Sequence, residues 1–151
     1  MHQHDVGGEQ GPLGVIPGSH EGELFNQYND QNQWVGCLSD PDVAQLDLDR
    51  AEYLTGPAGS ITIHNCRAIH GSGMNLSTIG RPLLLNAYSS ADAFPYTHDP
   101  LMSTHHGDIA RGQRARYAHH DPRPCLIPPD WSGGYTSIYA LQQEESTSEA
   151  Q

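Results

Sequence analysis

The sequence has few basic residues and no long apolar run. Seven Lys and Arg stand against 18 Asp and Glu, which gives a formal net charge of −11. Such an acidic surface repels phosphate backbones and anionic lipids, so nucleic acid is not an expected partner. Crossing a bilayer takes roughly 18 or more consecutive apolar residues, and no stretch approaches that length, so no membrane span is expected.

The cysteines and the first residues give no sign of secretion. Cys37, Cys66 and Cys125 are odd in number and far apart, which fits neither a CxxC metal knuckle nor a disulfide framework. Residues 1–10 have neither the basic region nor the apolar region of a secretory signal. The sequence therefore predicts free thiols in a reducing, cytoplasmic setting.

Glycine and proline are abundant and favour a fold of short strands. There are 16 Gly and 11 Pro, a composition that suits an all-β domain with many turns. Residues 11–16, 60–64 and 83–88 read as strands, and Ile61 and Ile63 alternate with polar neighbours in the second of these. The sequence predicts a β-barrel, sandwich or jelly roll.

The remaining segments are less regular. Residues 42–54 fit either a short helix or an irregular strand. Beyond residue 97 the chain is rich in Pro, His and Gly. We therefore expect one domain, with a β core over residues 1–97 and a loop-rich extension over residues 98–151.

Ten histidines raise the question of a metal site. His70 stands out because it follows an alternating segment and precedes a Gly-Ser-Gly turn, and ligand sites concentrate at such strand ends. Arg81 comes eleven residues later, before the third predicted strand. An imidazole can bind a metal and a guanidinium can grip a carboxylate. On spacing alone, an ordinary strand-end histidine and a surface arginine are the favoured interpretations of these two residues.

Three separate segments resemble the phytanoyl-CoA dioxygenase family. They are EQGPLGVIPGSH at residues 9–20, GSITIHNCRAIHGSGMN at residues 59–75, and RPLLLNAY from Arg81 onward. The family has the same order: a "PGSH" turn, a histidine in an "HGS" turn, an asparagine, and an arginine before the last core strand. The resemblance covers residues 9–96.

The resemblance implies a fold, a cofactor and site residues. Family members fold as a double-stranded β-helix, a jelly-roll barrel, and hydroxylate with Fe(II) and 2-oxoglutarate. The iron is held by two histidines and one carboxylate, which leaves positions open for 2-oxoglutarate and dioxygen. By this resemblance His70 is the distal metal ligand, Arg81 pairs with the far carboxylate of 2-oxoglutarate, and Ser72 adds a hydroxyl hydrogen bond to it.

In the family a His-x-Asp motif lies several tens of residues before the PGSH turn, and the residues before Pro17 contain no such motif. His2, His4 and Asp5 form a cluster near the start, but no histidine of this cluster stands two residues before Asp5. We therefore expect an incomplete barrel, the C-terminal part of a dioxygenase acting on a small or lipid-like molecule. Two alternatives stay open: a non-catalytic jelly-roll module that binds 2-oxoglutarate or another small carboxylate, and a non-functional truncation product. The sequence predicts neither the substrate nor the oligomeric state.

Overall fold

The computed structural model describes residues 1–97 and 103–129. The chain divides into two compact units. The first unit comprises Met1–Leu24 and Gln45–Ala87, and the second comprises Phe25–Ala44 and Tyr88–Gln151. The expected division at residue 97 stays a prediction, since much of the proposed extension lies outside the described residues.

A three-stranded antiparallel sheet forms the centre of the first unit. Its strands are β1 (Leu13–Val15), β2 (Glu52–Tyr53) and β3 (His70–Ser72), in the order β2-β1-β3. In the pairing of β1 with β3, Leu13 lies opposite Ser72 and Val15 lies opposite His70. The strand predicted over residues 11–16 is therefore confirmed at Leu13–Val15. It is the central strand of the sheet and pairs with both of the others.

Backbone conformation limits the length of β1. Gly11 precedes it with a φ of 60°, and Gly18 follows it with a φ of 81°. Residues with a side chain rarely adopt such left-handed conformations, and Pro17 has no amide hydrogen for a ladder. Gly11 also approaches a neighbour closely, because a Cβ added there would lie 2.2 Å from the carbonyl oxygen of Gly73. Short 3-10 turns flank the strand at Gly8–Gln10 and Ser19–Glu21.

Two predicted strands do not form. Residues 60–64 are irregular, and the side chains of Ile61 and Ile63 are 69% and 95% exposed. In residues 83–88 only Leu83 pairs, as a single bridge to His2. A period-2 pattern stabilises a strand when one of its faces is buried against a neighbour. Neither segment has such a neighbour among the described residues, so these predictions are wrong for this structure.

The ambiguous segment from residue 42 to residue 54 holds several short elements. A four-residue helix α1 (Asp40–Val43) begins in the second unit just before it, with Ser39 as its N-cap. A 3-10 turn at Leu48–Arg50 follows in the first unit and leads into β2. The helix and the strand predicted as alternatives for this segment are therefore each confirmed in part.

Few apolar side chains of the described residues are buried. Val6, Ile16 and Ala68 are the buried hydrophobic residues of this part of the chain. The architecture is mostly sheet and loop with few helical turns, in agreement with an all-β class. The closed jelly-roll barrel stays a prediction. None of the helices in residues 1–97 and 103–129 has the length and apolar character needed to cross a bilayer.

Candidate functional site

Arg81 and Ser72 lie side by side, as a shared binding role requires. Nη2 of Arg81 donates a hydrogen bond to the Ser72 hydroxyl at 3.2 Å. Nη1 of the same guanidinium is buried and has no hydrogen-bond partner in the described part of the chain. A buried, unpaired N–H is costly, and a carboxylate is the acceptor that best suits a guanidinium. The Arg81 guanidinium and the Ser72 hydroxyl can therefore bind one carboxylate together.

His70 is the first residue of β3, and its ring orientation is fixed by the backbone. Its Nδ1 lies 2.8 Å from the carbonyl oxygen of Ala68. Since a carbonyl only accepts, we assign the proton to Nδ1, which leaves the lone pair of Nε2 for a metal. Residues two apart on a strand point to the same face, so His70 and Ser72 share one side of β3. That face also meets Arg81 through its bond to Ser72.

A second imidazole lies beside His70. The ring centroids of His64 and His70 are 5.5 Å apart, and their planes are tilted by 54°. Both residues are exposed. Sequence reasoning assigned His64 to the polar face of a strand and gave it no role. The sequence feature that could have indicated this contact is the spacing of the two histidines, six residues apart on either side of a turn.

Ser19 is a further residue that the sequence reasoning did not single out. Its hydroxyl donates to the Ile16 carbonyl at 2.7 Å and accepts from the Ile69 amide at 2.8 Å. The amide of Ile16 in turn donates to the carbonyl of Ile69 at 3.0 Å. The serine of the PGSH segment thus ties that turn to the residue directly before His70. Its role is to hold the start of β3 in place.

The described residues do not fit a three-ligand iron site. Among residues 1–97 and 103–129, no three His, Cys, Asp or Glu side chains are grouped so that they could hold a metal. The cluster at the start of the chain is dispersed: His2 is buried, His4 is exposed, and a carboxylate oxygen of Asp5 accepts from the Ala58 amide at 2.8 Å. The role of His70 as a metal ligand therefore stays a prediction.

A hollow of about 340 Å³ opens next to the end of β3. Two of its lining residues, Gly73 and Met74, directly follow Ser72 in the chain. Tyr53 of β2 forms another wall, and the other lining residues are Gly8, Gly11 and Pro12. The volume is sufficient for a small organic molecule.

The second unit has an ionic pair that is separate from these residues. Nδ1 of His119 lies 2.6 Å from a carboxylate oxygen of Asp92, and Ser90 donates to the other oxygen. The Ser90 hydrogen bond, followed by that of His119, lowers the pKa of Asp92 below its ordinary value. Both hydrogen bonds favour the charged carboxylate, which is the reason for the direction of this shift. These side chains are exposed surface groups, apart from the half-buried Asp92.

Comparison with known proteins identifies relatives of this chain. A sequence profile described as Phytanoyl-CoA dioxygenase (PhyH) matches residues 2–83, more than half of the chain. A protein named probable alpha-ketoglutarate-dependent hypophosphite dioxygenase, from Stutzerimonas stutzeri, is 39% identical over 89 residues, which are 58% of this chain and 31% of that protein. Ectoine dioxygenase of Bordetella parapertussis is 30% identical over 92 residues, 54% of this chain and 30% of that protein.

The matched region is a limited part of those proteins. The chain spans about a third of the length of the curated relatives it matches. None of the solved structures matches the chain.

Proposed function

The chain belongs to the phytanoyl-CoA dioxygenase family, and from this membership we propose that it provides the 2-oxoglutarate-binding part of a non-haem Fe(II) dioxygenase. The observation that carries the proposal is the pairing of Arg81 with Ser72 at 3.2 Å, together with the unpartnered Nη1 of Arg81. Relatives named as alpha-ketoglutarate-dependent and ectoine dioxygenases support the same reaction class.

Arg81 gives the proposed binding site a local positive charge. 2-Oxoglutarate carries two carboxylates, and the net charge of −11 opposes its approach. The positive charge of Arg81 locally offsets this repulsion, and its unpaired Nη1 is a donor for the incoming carboxylate. In our proposal the far carboxylate of 2-oxoglutarate takes the fork of Arg81, and the Ser72 hydroxyl donates to the same carboxylate.

His70 would be one protein ligand of Fe(II), through Nε2. When bound, the iron supplies dioxygen activation and the oxidative decarboxylation of 2-oxoglutarate. The described residues do not supply the other two donors of a three-ligand site. The contribution of this chain is to hold one imidazole and the cosubstrate anchor on a single face of β3.

The substrate in this proposal is a small molecule that enters the hollow beside β3. The hollow borders the residues that follow Ser72, and its walls include Pro12, Tyr53 and Met74. These side chains are apolar or aromatic, so they suit the carbon skeleton of a small organic or lipid-like substrate. The glycines that complete the lining let the substrate approach the backbone closely.

A non-catalytic role is the second candidate. The absence of a three-donor metal group in residues 1–97 and 103–129 favours a module that binds 2-oxoglutarate or another small carboxylate without turnover. The two candidates share Arg81 and Ser72, and they differ only in whether succinate is formed.

The test is a calorimetric titration of the metal-free chain with 2-oxoglutarate. Arg81→Lys keeps the charge but loses the planar fork, so we expect affinity to fall roughly tenfold. Arg50→Lys is the matched control, because Arg50 donates only a long 3.4 Å bond to the Pro17 carbonyl in the same unit. Equal affinity in the Arg81→Lys and unsubstituted chains would contradict the proposal. Succinate production after addition of Fe(II) and air then separates the enzyme from the binding module.

A further inference from the structure

We propose that Asn75 is a positioning residue for cosubstrate binding, because its side chain closes the loop between β3 and Arg81 and so holds the guanidinium beside Ser72. The inference rests on the proposed function, in which Arg81 and Ser72 bind 2-oxoglutarate. Asn75 acts on that ligand through Arg81.

The chain between Ser72 and Arg81 must turn back on itself. Ser72 is the last residue of β3, and Arg81 returns to donate to its hydroxyl. Residues 73–80 therefore form a loop whose two ends meet. Closing a loop costs conformational entropy, and a glycine at each end, Gly73 and Gly80, leaves the backbone more freedom to lose.

Burial of apolar side chains does little to order this loop. Met74 and Leu76 are 81% and 77% exposed, and Ile79 is 54% exposed. The hydrophobic effect stabilises in proportion to the apolar area removed from water, and these side chains keep most of theirs in contact with it. The shape of the loop therefore depends on its hydrogen bonds.

The side chain of Asn75 spans the turn within this loop. Its Nδ2 donates to the Ile79 carbonyl at 2.8 Å, and its Oδ1 accepts from the Ser77 amide at 3.0 Å. An asparagine amide has both a donor and an acceptor, so one side chain makes both bonds. Ile79 lies two residues before Arg81, and the Nδ2 bond therefore fixes the point from which Gly80 and Arg81 leave the turn. Without the Ser77 hydroxyl, both of these bonds remain.

A backbone hydrogen bond attaches the same turn to the chain before β1. The Leu76 amide donates to the Glu9 carbonyl at 2.8 Å, and Glu9 belongs to the 3-10 turn at Gly8–Gln10. The turn closed by Asn75 thus has a fixed place beside the sheet as well as a fixed shape. Arg81 is in this way presented to β3 at one position.

The first experiment measures the mobility of Arg81 itself in the full chain, without any ligand. The ¹⁵N relaxation of the Arg81 Nε–Hε group reports on the order of the guanidinium. We expect Asn75→Ala to lower this order, because the loop loses the bond that fixes Ile79. Unchanged order of the Arg81 group in a folded Asn75→Ala variant would overturn the proposal, since a turn that is only structural leaves this signal as it is.

Asn65→Ala is the matched control for this measurement. Asn65 makes a similar turn before β3, in which its Oδ1 accepts from the Arg67 amide at 2.9 Å, and it lies in the same unit. The same substitution there removes an equivalent hydrogen bond without a link to Arg81. The order of the Arg81 group should therefore stay as in the unsubstituted chain, and an equal loss in Asn65→Ala would contradict a specific role of Asn75.

The second experiment is a calorimetric titration with 2-oxoglutarate. Asn75→Ala should weaken binding roughly two- to twelvefold, the usual cost of immobilising one side chain on binding, whereas Asn65→Ala should not. Full affinity in a folded Asn75→Ala variant would refute the positioning role. If the unsubstituted chain does not bind 2-oxoglutarate, the proposed function is wrong, and the relaxation of Arg81 still decides whether Asn75 holds the guanidinium.

Asn75→Ser provides a second variant in case Asn75→Ala does not fold. A serine hydroxyl can accept from the Ser77 amide in the same kind of turn, but it lacks the Nδ2 group that reaches the Ile79 carbonyl. The loss of Arg81 order and of affinity should match that expected for Asn75→Ala. A folded Asn75→Ser variant that keeps both would disprove the role of the Ile79 bond.

Discussion

Arg81 donates a hydrogen bond to Ser72 across nine residues of chain, from Nη2 to the hydroxyl oxygen at 3.2 Å. Ser72 is the last residue of β3, and His70 is the first. The bond therefore fastens the arginine to the strand that carries the histidine. A guanidinium held in this way needs less reorganisation to meet a carboxylate, since part of its rotamer freedom is already lost.

Ser72→Ala should weaken 2-oxoglutarate binding by about 0.5–1.5 kcal/mol, or roughly two- to twelvefold, because one net hydrogen bond is removed. In the Arg81→Lys background the same change should have a smaller effect, since the two residues act on one carboxylate. Calorimetry on the unsubstituted chain, the two single variants and the double variant measures the coupling energy between Ser72 and Arg81.

Ser77→Ala is the control for that cycle, because its hydroxyl bonds Asn75 and Ile79 within its own turn. Additive effects of Ser72→Ala and Arg81→Lys would mean that the two side chains do not share a ligand.

Ser19→Ala should destabilise the first unit by about 1–3 kcal/mol, because the Ile69 amide loses its acceptor in a half-buried position. Urea denaturation with far-UV circular dichroism measures the change. Since Ile69 precedes His70, the amide signals of β3 should also shift in the NMR spectrum of the folded variant. Unchanged β3 signals would show that Ser19 does not position this strand.

Gly11→Ala and Gly59→Ala separate two costs of replacing a glycine. Both residues have a positive φ, 60° and 87°, so each alanine pays about 1–2 kcal/mol for the left-handed conformation. A Cβ added at Gly59 would have no neighbour within 4 Å, whereas a Cβ added at Gly11 would lie 2.2 Å from the Gly73 carbonyl oxygen. Gly11→Ala should therefore be the more destabilising by about 2 kcal/mol or more. Equal urea midpoints would contradict this contact.

The Asp92 carboxyl should titrate below the ordinary range of an aspartate. Hydrogen bonds from Ser90 and then His119 lower its pKa. Because the folded pKa is depressed, the stability from these bonds is present above the ordinary carboxyl pKa and is lost as the pH falls through the lowered value. Carboxyl ¹³C signals followed against pH measure the shift.

The Ser90→Ala variant should raise the pKa of Asp92 more than His119→Ala does, since the Ser90 hydrogen bond is the larger cause. Ser103→Ala serves as the control, because its hydroxyl accepts from the His105 amide in the same unit. A larger rise of the Asp92 pKa in the His119→Ala variant would contradict the prediction that the Ser90 hydrogen bond is the main cause of the shift.

The sequence predicted the parts of the site that short motifs define. Gly and Pro after β1 ended that strand as their backbone preferences require. The turn predicted directly after His70 is wrong, because Gly71 and Ser72 pair with β1 as part of β3. Arg81 and Ser72 were assigned to one ligand from the family resemblance, and the structure brings the two side chains together. Their roles toward 2-oxoglutarate stay predictions until binding is measured.

Tertiary contacts decided what the sequence could not predict. The alternation of Ile61 and Ile63 predicted a strand, yet strand formation depends on a neighbouring surface that no local pattern reveals. The burial of His2 has the same origin. Its amide donates to the Ser60 carbonyl at 3.0 Å, a contact between residues far apart in the chain. The pairing of His64 with His70 also depends on how the intervening turn folds.

The central place of β1 has a consequence for how the first unit opens. Both β2 and β3 bond to this one strand and not to each other. Amide hydrogens that β1 shares with its two neighbours should therefore exchange with deuterated solvent as one cooperative group, whereas frayed edges normally exchange singly. Any fluctuation that frees β1 (Leu13–Val15) releases β2 and β3 together. The face of β3 that carries His70 and Ser72 therefore persists only as long as β1 stays paired.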